Sequence, residues 1–168
     1  MRFNLLFHTS FINLNFSLLV PFVSHTNELK YIFKSGSEGY NTFRIPSIIT
    51  TDSGVVLAFA EGRKNSSSDS GDIDLVLKRS TDGGKTWGDL IVIRDDSTNV
   101  CGNPSPVIDR KTGKIFLLST WNRGDDTESE IINMTSVDTR RVYVMNSIDE
   151  GLSWSCLLYT SPSPRDSS

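Results

Sequence analysis

Histidine is nearly missing from this chain. The two present, His8 and His25, both fall within the first 25 residues. Cysteine is equally scarce. Cys101 and Cys156 fit no metal-ligand spacing, and Cys101 reads as a small buried side chain. Nothing suggests a bound metal, nucleotide or flavin, so no cofactor is expected. Helical periodicity is absent. No stretch reaches the ~20 apolar residues of a membrane-spanning helix, so stable membrane insertion is not expected. The net charge of −3 gives no general affinity for nucleic acid or other polyanions.

What is present suits one modest globular core: 168 residues, 37% hydrophobic and 22% charged. Residues 1–27 stand apart. Arg2 is the only charge before Glu28, and Leu18–Val23 is the densest apolar run. This segment reads as an export signal or as an ordinary leader. The first reading implies a secreted, periplasmic or lysosomal protein, the second a cytoplasmic or membrane-associated one. Residues 28–155 form the body. Residues 156–168 do not alternate, and Pro162 and Pro164 oppose a regular interior strand, so this tail is expected to be foreign to the native fold.

The body is a series of short strands punctuated by turns. Ser47–Thr50 and Val55–Ala60 flank Thr51-Asp52-Ser53-Gly54, a turn signal. The second strand is almost wholly apolar, as for a strand covered on both faces. Ile73–Leu77 and Leu90–Ile93 follow, then a hairpin of Ser105–Ile108 and Ile115–Ser119, then Arg141–Met145. Regular strand spacing with turn signals marks an all-β sandwich, barrel or propeller.

A repeat narrows the choice. Ser80-Thr-Asp82-Gly-Gly84-Lys-Thr-Trp87 fits the pattern Ser-x-Asp-x-Gly-x-Thr-Trp, the Asp-box. Ser147, Asp149, Gly151, Ser153 and Trp154 repeat it after a period of 67 residues. About four strands per period is blade-like. The boxes read as turn fasteners, with Asp82 and Asp149 accepting from turn amides over Trp87 and Trp154.

Upstream of the first box lie Phe43-Arg44-Ile45-Pro46 and Ala60-Glu61-Gly62-Arg63. A Phe-Arg-Ile-Pro tetrapeptide followed by Asp-boxes resembles the sialidase (neuraminidase) family over roughly residues 36–155. The resemblance implies a six-bladed β-propeller, of which this chain holds about the first two blades. It implies an exo-α-sialidase that releases terminal sialic acid from glycans, with a sialylated glycan as its partner.

Sialic acid carries a carboxylate on its anomeric carbon, and a guanidinium suits it through two-pronged hydrogen bonding. The resemblance makes Arg44, placed just before the first strand, a carboxylate-binding arginine. Glu61 and Arg63 share one strand face. Arg63 is placed to bond a sugar hydroxyl and hold nearby acids ionised, and Glu61 to orient an arginine; a purely structural ion pair is the alternative. In the polar loop 64–72, Asp69 matches the family's acid, which protonates the departing oxygen. Asp72 and Asp74 compete, although Asp at a strand start commonly serves the backbone. Asn103, in Gly-Asn-Pro-Ser-Pro, resembles a segment lining the N-acetyl pocket, and an Asn-Pro turn is its plainer reading.

Sialidases use a tyrosine nucleophile. That residue and two further arginines come late in the family's sequence, so none is assigned here and the 168-residue chain alone is expected to be inactive. A non-catalytic Asp-box propeller that binds glycans or proteins, and a trans-sialidase, are the alternatives.

Overall fold

The computed structural model describes residues 30–155 and the backbone of 158–159. The leader 1–27 and most of the tail therefore lie outside the described residues. Among the described residues, eight strands run in chain order: β1 (Thr42–Thr50), β2 (Val56–Arg63), β3 (Ile73–Ser80), β4 (Ile91–Arg94), β5 (Val100–Ile108), β6 (Ile115–Asn122), β7 (Arg141–Ser147) and β8 (Leu158–Tyr159). They form one open sheet in the order β1-β2-β3-β5-β6-β7-β8, with β4 also paired to β3. All pairings are antiparallel except β3 with β5, which touch at the single parallel pair Ile73↔Val100. That one contact separates two antiparallel units, β1–β4 and β5–β8. They are the two blades of an incomplete all-β propeller.

The strands meet face to face around one core. Leu57 and Phe59 of β2, Leu75 and Leu77 of β3, Cys101 of β5, Ile115 and Leu117 of β6 and Met145 of β7 are buried together. Each large apolar side chain buried this way contributes roughly 1.5–3 kcal/mol, so the core holds the blades together rather than either blade alone. A second cluster covers the other face of the first blade: Tyr40, Ala60 and Val76, flanked by Phe33, Phe43 and Leu90. Both faces of β2 are thus covered, as its continuous apolar run predicts. Burial also pushes the Cys101 thiol up to about 12, leaving it an inert packing group.

Two expectations change. First, Arg44 lies inside β1 rather than before it, paired with Glu61 across the ladder. The strand resumes on both sides of a bulge at Ile45–Pro46, where the register shifts between Arg44 and Ser47 and Ile45 has φ 51°. Strand β5 carries the same device at Asn103–Pro104, with Asn103 at φ 53°. Proline removes a ladder donor, and the bulge re-aims the side chains before it. Second, a short helix α1 (Glu128–Asn133) sits between β6 and β7. Its six residues are too few to show a 3.6-residue period, and a capping box between Thr127 and Glu130 starts it. Within residues 156–168, the backbone of β8 pairs with β7 at Tyr143↔Tyr159 and Val144↔Leu158. This two-residue strand precedes Pro162 and Pro164, so neither proline interrupts it.

The two Asp-boxes are wired alike. Ser80 Oγ donates to Asp82 Oδ1 (2.8 Å) and accepts from Gly84 N (2.8 Å), while Thr86 N donates to Asp82 Oδ1 (2.9 Å). In the second box Ser147 Oγ donates to Asp149 Oδ1 (2.7 Å), Gly151 N donates to Ser147 Oγ (2.8 Å) and Ser153 N to Asp149 Oδ1 (2.9 Å). Gly84 and Gly151 sit at φ 87° and 82°, which a side chain would strain. Trp154 then packs edge-on against Phe59 of the first blade, ring centroids 5.9 Å apart.

Hydrogen bonds from the Ser153 side chain and backbone, and from Ser147, hold the Asp149 carboxyl at about 2, below its ordinary 3.8. A depressed folded-state value means the contribution is complete above about pH 4 and is lost as pH falls through about 2. The thermal midpoint of the chain should therefore decline across that window. Asp149→Asn should lower the midpoint at neutral pH by on the order of a few degrees and flatten the decline. Identical acid profiles for the two proteins would show that Asp149 fastens nothing.

Candidate active site

The alternation of β2 points Leu57, Phe59, Glu61 and Arg63 to the same side, toward the second blade. The first two enter the core. The last two, at the strand's end, are charged yet buried, at 3% and 2% exposure. A buried pair of this kind must satisfy nearly every polar atom it carries, and it does so.

Glu61 divides its oxygens. Oε1 accepts from Asn103 N of the second blade (2.8 Å), while Oε2 accepts from Arg63 Nη2 (2.6 Å) and Nε (3.2 Å). The approach to Asn103 exists because residue 102 is glycine: a Cβ there would lie 2.6 Å from Glu61 Oε1. Gly62 has a parallel role on the opposite face, where a Cβ would stand 2.7 Å from the Tyr40 ring.

Arg63 is committed on all three nitrogens. Besides Glu61 it donates from Nη1 to the carbonyl oxygens of Ser67 and Ser68 (both 2.7 Å) and pairs through Nη2 with Asp69 Oδ1 (2.7 Å). It therefore folds loop 64–72 back over the end of β2. Arg44 comes to the same place from β1, donating from Nη1 to Asp69 Oδ1 (3.1 Å) and to the Ser67 carbonyl (3.2 Å). Two guanidiniums thus meet one carboxylate oxygen.

Exposure separates the members of this group. The Arg44 and Asp69 side chains are 45% and 55% exposed, whereas Arg63 and Glu61 are sealed beneath them. A ligand arriving from solvent meets the Arg44–Asp69 pair first. The hydrogen bond from Arg63, reinforced by the charges of Arg63, Arg44 and Arg140, holds the Asp69 carboxyl below the usual carboxylate range. Partial desolvation opposes this without reversing it. Asn103 is exposed beside the group and donates from Nδ2 to Thr120 Oγ1 (2.8 Å).

The two competing acids are placed differently. Asp74 is 1% exposed on the opposite face of β3, where it accepts from the Tyr40 hydroxyl (2.8 Å). Burial pushes its carboxyl up and pushes the Tyr40 hydroxyl far above its ordinary value. Asp72 pairs with Lys64 (3.1 Å) at the base of the loop. Neither stands beside Arg44. The sequence reading overlooks Lys64, Tyr40, Asp95 and Thr120. A period-two reading places Lys64 opposite Arg63, but its partner Asp95 is 31 residues away and no local pattern links them.

The Asp-boxes lie at the other end of the sheet. Ser80 closes the end of β3 remote from Ile73, and Ile73 is the residue paired with Arg63. Their acids are thus separated from Asp69 by the length of a strand.

No family model matches the chain. Individual proteins do. The chain is 36% identical over 133 residues to an exo-alpha-sialidase of Arthroderma benhamiae, covering 69% of this chain and 32% of that protein. It is 34% identical over 134 residues to an exo-alpha-sialidase of Aspergillus fumigatus, covering 70% and 33%. The solved structure of Hadza microbial sialidase Hz136 superposes with a TM-score of 0.65 at 29% identity, over 74% of this chain and 27% of that one. The chain spans about a third of the length of the curated relatives it matches. Two blades, paired Asp-boxes and an arginine–acid cluster at the opposite end define a portion of a sialidase β-propeller. The chain belongs to the sialidase family.

Gly102→Ala tests the close approach on which the cluster rests. Glu61 is held by Asn103 and Arg63, so it cannot move aside freely. Overpacking of this kind should destabilise the chain by ~1–3 kcal/mol, read from urea unfolding. An unchanged midpoint would mean that Glu61 has room to shift and does not set the spacing between the blades.

Proposed function

We propose that these two blades supply one side of the active site of an exo-α-sialidase, a hydrolase that removes terminal sialic acid from glycans. The observation that carries the reading is the exposed Arg44–Asp69 pair set on a buried Glu61–Arg63 base. Arg44 is the cation that receives the sugar carboxylate. Its partners on this surface, the Asp69 carboxylate and the Ser67 carbonyl, are acceptors of the kind a substrate carboxylate would replace. Arg63, already bound on every nitrogen, holds Asp69 and its loop in place. Asn103 offers an amide to the N-acetyl group from the second blade. The nucleophile and the further arginines belong to blades beyond these two.

Asp69 acts as the general acid. In the free state it is ionised, because two guanidiniums converge on Oδ1. A bound carboxylate would draw Arg44 away and set a negative charge near Asp69, and both changes raise its pKa. Arriving substrate thus helps protonate the acid that its own cleavage needs. With Oδ1 turned toward Arg63, Oδ2 is the oxygen that carries the proton to the departing glycosidic oxygen.

Two substitutions in the full-length protein test these roles. Arg44→Lys keeps the charge but loses the two-pronged contact. It should lower kcat/KM by tens-fold, equivalent to ~2 kcal/mol, whereas Lys114→Ala at the remote β5–β6 turn should leave it unchanged. Wild-type activity in Arg44→Lys would remove Arg44 from the carboxylate site. Asp69→Asn should depress cleavage of natural glycans by ~10²–10⁴-fold and spare aryl sialosides, whose phenolic leaving group needs little protonation. Equal losses on both substrates would assign Asp69 to binding. Absence of turnover in the full-length wild-type protein would favour the glycan-binding propeller instead.

A further inference from the structure

The loop that carries Asp69 has a second support, on the face of the sheet away from Arg63. Lys64 follows Arg63, so alternation turns it to that opposite face. Its backbone N donates to the Asp72 carbonyl (3.1 Å), which closes the neck of the loop. Its ammonium reaches three carboxylates: Asp72 Oδ1 (3.1 Å), Asp74 Oδ2 (3.1 Å) and Asp95 Oδ2 (3.2 Å). These acids come from three places. Asp72 ends the loop, Asp74 lies in β3, and Asp95 follows β4. Their oxygens lie within 4.8 Å of one another, a spacing suited to a cation, and the Lys64 ammonium fills that position.

We propose that Lys64 is a positioning residue for Asp69, a charged pin at the neck of loop 64–72; this rests on the reading of Asp69 as the general acid. Three carboxylates at this spacing repel one another unless a cation sits among them, and one of them, Asp74, is 1% exposed. Solvent screening that makes most surface ion pairs weak is therefore reduced here. The loop is held at three points. Arg63 grips its apex through the Ser67 and Ser68 carbonyls, Gly71 N donates to Gly124 O of the second blade (2.9 Å), and Lys64 fastens its two ends. Removing Lys64 leaves the apex tethered while the neck is pushed apart by like charge. Asp69 then moves relative to a substrate whose position is set by Arg44, a residue of β1.

The test is a set of variants in the full-length protein: Lys64→Met, Lys64→Arg, Asp69→Asn and the double variant Lys64→Met/Asp69→Asn. Each is assayed on a natural sialyl-oligosaccharide and on an aryl sialoside. Lys64→Met should lower kcat on the oligosaccharide by roughly 10–100-fold, with a smaller change in KM and little loss on the aryl substrate. Lys64→Arg should restore most of that loss. In the Asp69→Asn background, Lys64→Met should cost nothing more, because the pin acts only through the acid. An equal loss on both substrates, or a full additional loss in the double variant, overturns the proposal and leaves Lys64 a residue of the fold alone. Should Lys64→Met fail to fold, Asp95→Asn, which removes one partner of the pin, should show the same substrate selectivity at smaller size, and equal losses there overturn the proposal too. A lack of selectivity in Asp69→Asn itself overturns the acid assignment and the pin with it. Selectivity in Asp69→Asn but not in Lys64→Met overturns the pin alone.

Discussion

The carboxylate of Glu61 is the constraint on which the rest of the site depends. One oxygen faces the second blade and binds the Asn103 amide, and the other faces the first blade and binds Arg63. A buried carboxylate so placed cannot move without leaving a buried donor unpaired on one side or the other. It therefore fixes the spacing between the blades and the orientation of Arg63 together. Arg63 in turn fixes the loop, and the loop fixes Asp69 against Arg44. The exposed pair that a substrate would meet is only the outermost layer of this arrangement. The glycine at 102 is as much a part of it as the charges, because any side chain there would displace Glu61.

The proposed site and the fastened turns lie at opposite ends of the sheet. At one end the loops are held by charge: Arg63, Arg44 and Lys64 each bring carboxylates or carbonyls together. At the other end the turns are held by neutral serine and threonine hydroxyls wrapped around a single aspartate. Glu150, in the second Asp-box, joins the blades there by accepting from Thr51 Oγ1 in the first hairpin turn (2.9 Å), while its carbonyl accepts from Arg79 Nε (2.8 Å). Glu61 and Glu150 thus link the same two blades from opposite ends, with the shared apolar core between them. Both exploit residues near a bulge or a tight turn, where the backbone has left the regular ladder. The acids of the boxes are ionised for a different reason from Asp69. They serve turn amides and hydroxyls, and no cation is needed to hold their charge.

How much of this was legible in the sequence depended on the range of each interaction. The Asp-boxes were readable because every bond in them spans four residues or fewer, so the pattern Ser-x-Asp-x-Gly is itself the wiring diagram. Arg44, Glu61, Arg63 and Asp69 were readable through a recurring motif around one hairpin, and the two-residue alternation placed Glu61 and Arg63 on one face. Alternation could not reveal that Arg44 stays within a strand, because the Ile45–Pro46 bulge breaks the register that alternation relies on. The capping box of α1 stood in the sequence as Thr127-Glu-Ser-Glu130, but six residues carry no helical period to support it. The Lys64 cluster was illegible. Its partners approach from segments separated by as many as 31 residues, and only the fold of β3 and β4 brings them together.

The electrostatics of Asp69 bear on how such a site could operate with an acid that is ionised at rest. A carboxylate pinned between two guanidiniums is a poor proton donor, which at first sight argues against the role. In the proposed site the conflict is resolved because one of the two cations is also the receptor assigned to the substrate. Arg63 is sealed and cannot leave Asp69 without vacating its bonds to Glu61 and the loop. Arg44 is half exposed and bound to acceptors that a carboxylate can replace. Under the proposed roles, binding would remove only the outer of the two stabilising charges and add a negative one. On that proposal the pKa of Asp69 would rise with substrate present and fall again when it leaves. With Arg63 sealed and Arg44 open, the proposed roles give the two arginines different tasks: one would keep the acid in place, and the other would couple its protonation to the arrival of the sugar.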